Sequence, residues 1–227
     1  MSNRAMIDLE TLSTRDDAAV ISIGVVVFDE ISLVDSLHLP LTMEKLSGHL
    51  DPRTIEWWME QSKEAQLASF AGERMLPHMA AFKLWELVDK YQTKTFWAND
   101  PHFDYVILRN WWRRYREDAP FTAPIGVDLQ PVINVAFPFG YNTPRSYRTI
   151  VALARQQGFD NAMYDEAKGT YVAHNAMEDA AAQARVVLAC EKWLSGARLI
   201  ERVSVRPPVT IEGEVIASGW RDGTKSV

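Results

Sequence analysis

Asp8 and Glu10 stand two residues apart in Met6-Ile7-Asp8-Leu9-Glu10-Thr11, an otherwise apolar run. On an extended strand alternate side chains share a face, so both carboxylates project together. Like charges that close repel, and one pKa rises unless a divalent cation lies between them. Hard oxygen donors suit Mg2+ or Mn2+ rather than zinc or copper. Taken alone, Asp-x-Glu reads more simply as two solvated acids on an edge strand.

Three further residues carry the same chemistry. Asp104 follows the short aromatic run Thr95-Phe96-Trp97-Ala98 and the break Asn99-Asp100-Pro101-His102. From there Tyr105, Ile107, Leu108, Trp111 and Trp112 recur at helical spacing, which places Asp104 in a first turn, near the positive end of the helix dipole. By itself it fits an acidic first-turn residue equally well. His174 and Asp179 lie in His174-Asn175-Ala176-Met177-Glu178-Asp179, where a helix over 176–193 holds Asp179 in its first turns and leaves His174 in the loop ahead. A histidine five residues before an acid at a helix start, in a chain that already has the other two elements, is poorly explained by packing.

Taken together, these residues resemble the motifs of the DEDD, or DnaQ-like, 3′-to-5′ exonucleases in their histidine-bearing branch. Asp8, Glu10 and Thr11 match the first motif, Asp-x-Glu-Thr; Asp104 matches the second, an aspartate at a helix start. His174 and Asp179 match the third, His-x4-Asp, and Asn175 stands where the alternative branch carries tyrosine. The likeness runs over about residues 5–195 by order and spacing. Thr54-Ile55-Glu56-Trp57-Trp58-Met59-Glu60-Gln61-Ser62 is also similar to a segment of the phage exonuclease A group and of the bacterial exoribonuclease branch described as Rv2179c-like.

The resemblance implies a phosphodiester hydrolase that works from the 3′ end of single-stranded DNA or RNA and releases nucleoside 5′-monophosphates. It implies two Mg2+ or Mn2+ ions, which together serve the attacking water and the leaving oxygen. Asp8, Glu10 and Asp179 would hold the ion on the water side, and Asp8 and Asp104 the ion on the leaving-group side. His174 would orient or deprotonate the water, and Glu10 would also contact the terminal 3′-hydroxyl. Candidate substrate contacts are Thr11, Trp57, Trp58 and Arg109. Neighbouring tryptophans on a helix point about 100° apart, so one can pack inward while the other faces a cleft and stacks on a terminal base; both could equally be core or dimer residues. Arg109, Arg113 and Arg116 recur at helical spacing, either tracking a phosphate backbone or forming a solvated face. Two other readings stay open: a proofreading or repair subunit of a replication assembly, and a binding module without turnover.

Composition bounds these readings. The chain has 227 residues, 47% of them hydrophobic, enough for a full single-domain core. A net charge of −6 is unlike a protein that coats nucleic acid nonspecifically, yet four acids gathered around cations account for much of it. Cys190 is the single cysteine, which excludes an intramolecular disulfide and suits a reducing compartment. Met1-Ser2-Asn3-Arg4 runs straight into the first motif, and no apolar stretch approaches membrane-spanning length. A cytoplasmic protein without membrane contact is the expectation.

The elements that must position these residues follow from the hydrophobic pattern. Val20–Phe28 is a β-branched strand, with a weaker one over 33–39. Residues 51–70 and 75–91 read as helices, followed by the strand Thr95–Ala98 and the Asp104 helix. Pro120 to Pro124 reads as a loop and 126–129 as a short strand. Asn142-Thr143-Pro144 opens a helix running to about Gln157. Alternating strands and helices predict a layered α/β fold; the resemblance implies a ribonuclease H-like one, a central mixed sheet flanked by helices. The catalytic domain spans 1–199, and 200–227 is a C-terminal extension of short strands or tail, with a homodimer contact among its possible uses.

Overall fold

The computed structural model describes residues 3–117 and 136–196. The expected 120–124 loop, the 126–129 strand, the Arg116 side chain and the 200–227 extension lie outside the described residues.

Five strands form one mixed sheet in the order β3-β2-β1-β4-β5: β1 (Arg4–Thr11), β2 (Val20–Phe28), β3 (Leu33–Pro40), β4 (Thr95–Ala98) and β5 (Pro144–Ser146). β1 pairs antiparallel with β2, and β2 with β3, whereas β4 and β5 continue the sheet in parallel. β1 is therefore the central strand, not an edge, and its acids are not simply solvated. Helices cover both faces, as the α/β expectation requires.

The pleat sorts β1 between two cores. Ala5, Ile7 and Leu9 enter an apolar cluster with α3 (Pro77–Lys90) and α4 (Asp104–Glu117), which contribute Leu84, Leu87, Ile107 and Trp111. Met6 points the other way, into a cluster with α5 (Tyr147–Gln156) and α7 (Ala176–Leu194), beside Val151, Ala180, Val187 and Cys190. Asp8 and Glu10 share the parity of Met6, so they face the α7 side. α6 (Asn161–Lys168) bridges α5 and α7 and had no counterpart in the sequence reading.

Two expectations are corrected. Residues 51–70 are two helices, α1 (Pro52–Met59) and α2 (Lys63–Phe70). Ser62 caps α2 by accepting from the Ala65 N–H, and Gln66 Nε2 donates to the carbonyls of Trp58, Met59 and Gln61. Those bonds satisfy the carbonyls that end α1 and so stabilise the break. The helix expected from Asn142 begins instead at Tyr147, capped by Ser146. Pro144 opens the edge strand β5, where its missing N–H costs nothing and the residue before it is already biased toward extended backbone. Among the described residues, no helix is long and apolar enough to cross a membrane.

Candidate active site

The site forms at the ends of β1 and β4, which run parallel and so finish at the same edge of the sheet. Asp8 pairs across β1 and β2 with Gly24. A Cβ at Gly24 would lie 2.0 Å from the carbonyl carbon of Ala176 and 2.3 Å from the Met177 nitrogen. Only a hydrogen at this position lets the first turn of α7 rest directly on the sheet. That contact is what carries Asp179 to the two β1 acids. The β1–β2 register shifts between Glu10 and Thr11, an irregularity of the kind that re-aims side chains at sheet ends.

Asn175 caps α7, accepting from the N–H groups of Met177 and Glu178. His174 ahead of it adopts a left-handed backbone, φ +64°, a conformation that side chains other than glycine seldom take. It is tied on both sides. Its N–H donates to Asp179 Oδ2 at 2.6 Å, and its carbonyl accepts from the Ser69 hydroxyl at 2.9 Å. Glu178 accepts from the Val172 N–H at 2.5 Å and so holds the preceding turn. One donor atom each from Glu10, His174 and Asp179 gather within 4.8 Å of one another.

Asp104, at the start of α4, is buried. Its carboxylate accepts from the Asp100 N–H at 3.4 Å, and the main chain at Leu9, between the two β1 acids, also favours its ionised form. Asp8 and Asp104 stand outside the 4.8 Å group and join it through charge. Burial, then the charges of Asp104, Glu10 and Asp179, hold the Asp8 carboxyl well above its ordinary range; a hydrogen bond from Gln183 acts against them. Burial, followed by Asp179 and Asp104, pushes Glu10 up to about 8. Burial alone dominates at Asp104, raised to about 7, and at Asp179, raised to about 6. Burial lowers His174, which favours its neutral imidazole.

Four carboxyls that resist ionising together are unfavourable for a fold and suited to a divalent cation, whose charge inverts that local balance. Oxygen donors with a single histidine fit Mg2+ or Mn2+. The residues present therefore fit the group that the motifs imply.

The substrate-contact candidates separate. Trp58 is buried and its indole N–H donates to the Thr11 carbonyl at 2.9 Å, while the Thr11 hydroxyl donates to the Ser13 carbonyl at 2.7 Å. Trp57 is 41% exposed, and its ring meets that of His174 edge-on at 4.9 Å between centroids. Arg109 lies on the side of α4 where its charge acts on Tyr105, and the neighbouring Trp111 and Trp112 are core residues.

Three contributors escaped the sequence reading. Gln183 binds Asp8, Ser69 binds His174, and the charge of Lys168 draws the Asp179 pKa down against its burial. Gln183 had a legible cue, because it follows Asp179 by four positions on one helix and so shares its face. Ser69 and Lys168 had none.

No curated protein matches the chain. Among solved structures, 11 chains match. One is the nuclease domain of 3'hExo, a DEDDh family member, bound to rAMP, which is 16% identical and covers 91% of this chain and 98% of that chain, with a TM-score of 0.48. The model of the 3'-5' exoribonuclease Rv2179c-like domain matches residues 3–191, a span that runs from β1 into α7 and takes in Asp8, Glu10, Asp104, His174 and Asp179 alike. By that match the chain belongs to the Rv2179c-like 3'-5' exoribonuclease domain family, a family of 3′-to-5′ exonucleases.

Proposed function

We propose that this exonuclease shortens single-stranded RNA from its 3′ end by two-metal hydrolysis, releasing nucleoside 5′-monophosphates. The observation that carries the reading is the gathering of Glu10, His174 and Asp179 donor atoms within 4.8 Å, in charge contact with Asp8 and Asp104. Asp8, Glu10, Asp104 and Asp179 would hold Mg2+ or Mn2+, which when bound supplies Lewis-acid stabilisation of the charge that develops on the phosphoryl oxygens. His174 orients the attacking water and accepts its proton on a ring nitrogen, a role favoured by the neutral form. The water oxygen bonds to phosphorus, the P–O3′ bond breaks, and the leaving O3′ takes a proton from solvent water to become the 3′-hydroxyl of the shortened strand. Glu10 faces the terminal 3′-hydroxyl, and Trp57 offers its exposed ring to the terminal base. Thr11 and Trp58 support the strand end beneath them, and Arg109 meets the phosphate backbone further along the strand. RNA is preferred here because the family is described as exoribonuclease.

The test is a time course with matched single-stranded RNA, single-stranded DNA and duplex, each labelled at either end. Shortening from the 3′ end that requires Mg2+ or Mn2+, is faster on RNA, and disappears in Asp8→Ala and His174→Ala is the expected result. Undiminished activity in those purified variants would overturn the site assignment, and faster cleavage of DNA would overturn the sugar preference.

A further inference from the structure

Gln183 lies one helical turn beyond Asp179 on α7, and its Nε2 donates to Asp8 Oδ1 at 2.8 Å across 175 residues of sequence. In the ionised, metal-binding form of Asp8 the carboxylate only accepts, so the NH2 end of the amide faces it there. The other end of the same amide is unusual. Gln183 Oε1 is buried and has no hydrogen-bond partner among the described residues. A buried acceptor left unpaired is destabilising, and a residue kept for packing alone would serve better as methionine or leucine at this position.

We propose that Gln183 is a positioning residue that fixes the Asp8 carboxylate for metal capture, at a cost to the stability of the metal-free fold. This rests on the two-metal reading above. Among the described residues, Gln183 is the side chain that hydrogen-bonds the Asp8 carboxylate. Its mounting is rigid: α7 is pressed on the sheet at Gly24, and Ala180 and Ala184 on either side of Gln183 are fully buried. With Oδ1 engaged, Oδ2 of Asp8 carries no hydrogen bond among the described residues, which leaves it open toward a cation. Partners that orient a metal-binding carboxylate without touching the metal are worth about 10–100-fold in metal affinity when removed.

The experiment uses the full chain freed of metal, with Mn2+ alone as the probe. Binding is measured by calorimetry at one pH for the wild type, Asp8→Asn, Gln183→Met and Gln183→Asn, and melting temperatures are recorded without metal. Methionine keeps the length and removes both polar atoms, whereas asparagine keeps the amide and withdraws it by one methylene. Either variant reports alone should the other fail to fold. We expect about 10–100-fold weaker Mn2+ binding in both Gln183 variants, with Gln183→Met melting at or above the wild-type temperature. Wild-type Mn2+ affinity in the folded variants overturns the proposal, as does a lowered metal-free melting temperature with unchanged affinity, which marks a structural role. A wild type that binds no Mn2+ defeats the two-metal reading itself. Binding that is lost in Asp8→Asn and intact in both Gln183 variants defeats only the role of Gln183.

Discussion

His174 and Trp57 meet edge-on at 4.9 Å, so removing one ring can disturb the other, and the split between KM and kcat is what separates their roles. Stacking on a base is worth about 1–3 kcal/mol, which corresponds to a KM change of about 5–150-fold. Trp57→Ala is expected to raise KM for an oligonucleotide within that range while kcat falls much less, and Trp57→Phe to recover most of the loss. A variant that loses kcat with KM intact would show that the indole serves His174 and not the substrate. Histidine itself is expected to contribute about 10²–10⁴-fold to kcat as a proton acceptor; single-turnover rates of His174→Ala at saturating Mn2+ measure it. Glu10, Asp104, His174 and Asp179 were legible because each sits near where an element begins or ends, and Asp8 because it stands two residues from Glu10 in an apolar strand. Ser69 acts through a contact that spans 105 residues, and no local pattern announces a partner so distant; Gln183 had only its helical spacing from Asp179 to mark it.

At the scale of elements, the site depends on how closely α7 approaches the sheet. Gly24→Ala would drive a methyl group into the Ala176 backbone, and backbone cannot yield as a flexible side chain does. Overpacking a core costs about 1–3 kcal/mol and occasionally more; here the upper end or loss of folding is expected, read as a fall in denaturation midpoint. A wild-type midpoint would show that α7 can lift from the sheet without penalty. Ser69 links the α1–α2 pair to the loop that carries His174, so Ser69→Ala should lower kcat roughly tenfold, from about one lost hydrogen bond with a partly buried acceptor left behind, while Mn2+ affinity stays unchanged. A variant with wild-type kcat would show that the Asp179 bond alone holds His174. The strands β1, β2 and β4 and the helix α7 were readable because their apolar periodicity is strong. The α1–α2 break was not: Glu60, Gln61 and Ser62 resemble an exposed helix face until Gln66 is seen folding back on the α1 carbonyls. β5 escaped because three residues beginning with proline form a strand only when β4 is there to pair with them.

At the scale of the whole molecule, the acid cluster couples folding to pH and to metal. Without metal, the folded chain holds protons on Glu10 to about 8, on Asp104 to about 7 and on Asp179 to about 6. The unfolded chain releases them near ordinary carboxylate values, about 4. Across the interval the native state binds more protons, so its stability falls as pH rises from about 4, and the share from these three groups is lost above about 8; Asp8, raised by burial and its acidic neighbours, acts in the same direction. The metal-free protein is therefore expected to melt lower at pH 8.5 than at pH 6. A cation that binds the ionised cluster reverses this by displacing the protons, and its stabilising effect grows with pH. Free Mn2+ at about one hundred times its dissociation constant adds about 2.7 kcal/mol, or roughly 5–10 °C for a chain of this size. Melting curves with EDTA and with Mn2+ at both pH values measure the two effects together. If the metal-free melting temperature is flat over that range while Mn2+ still stabilises, the carboxylates are ionised before metal arrives, and the fold must offset their repulsion by some means other than protons.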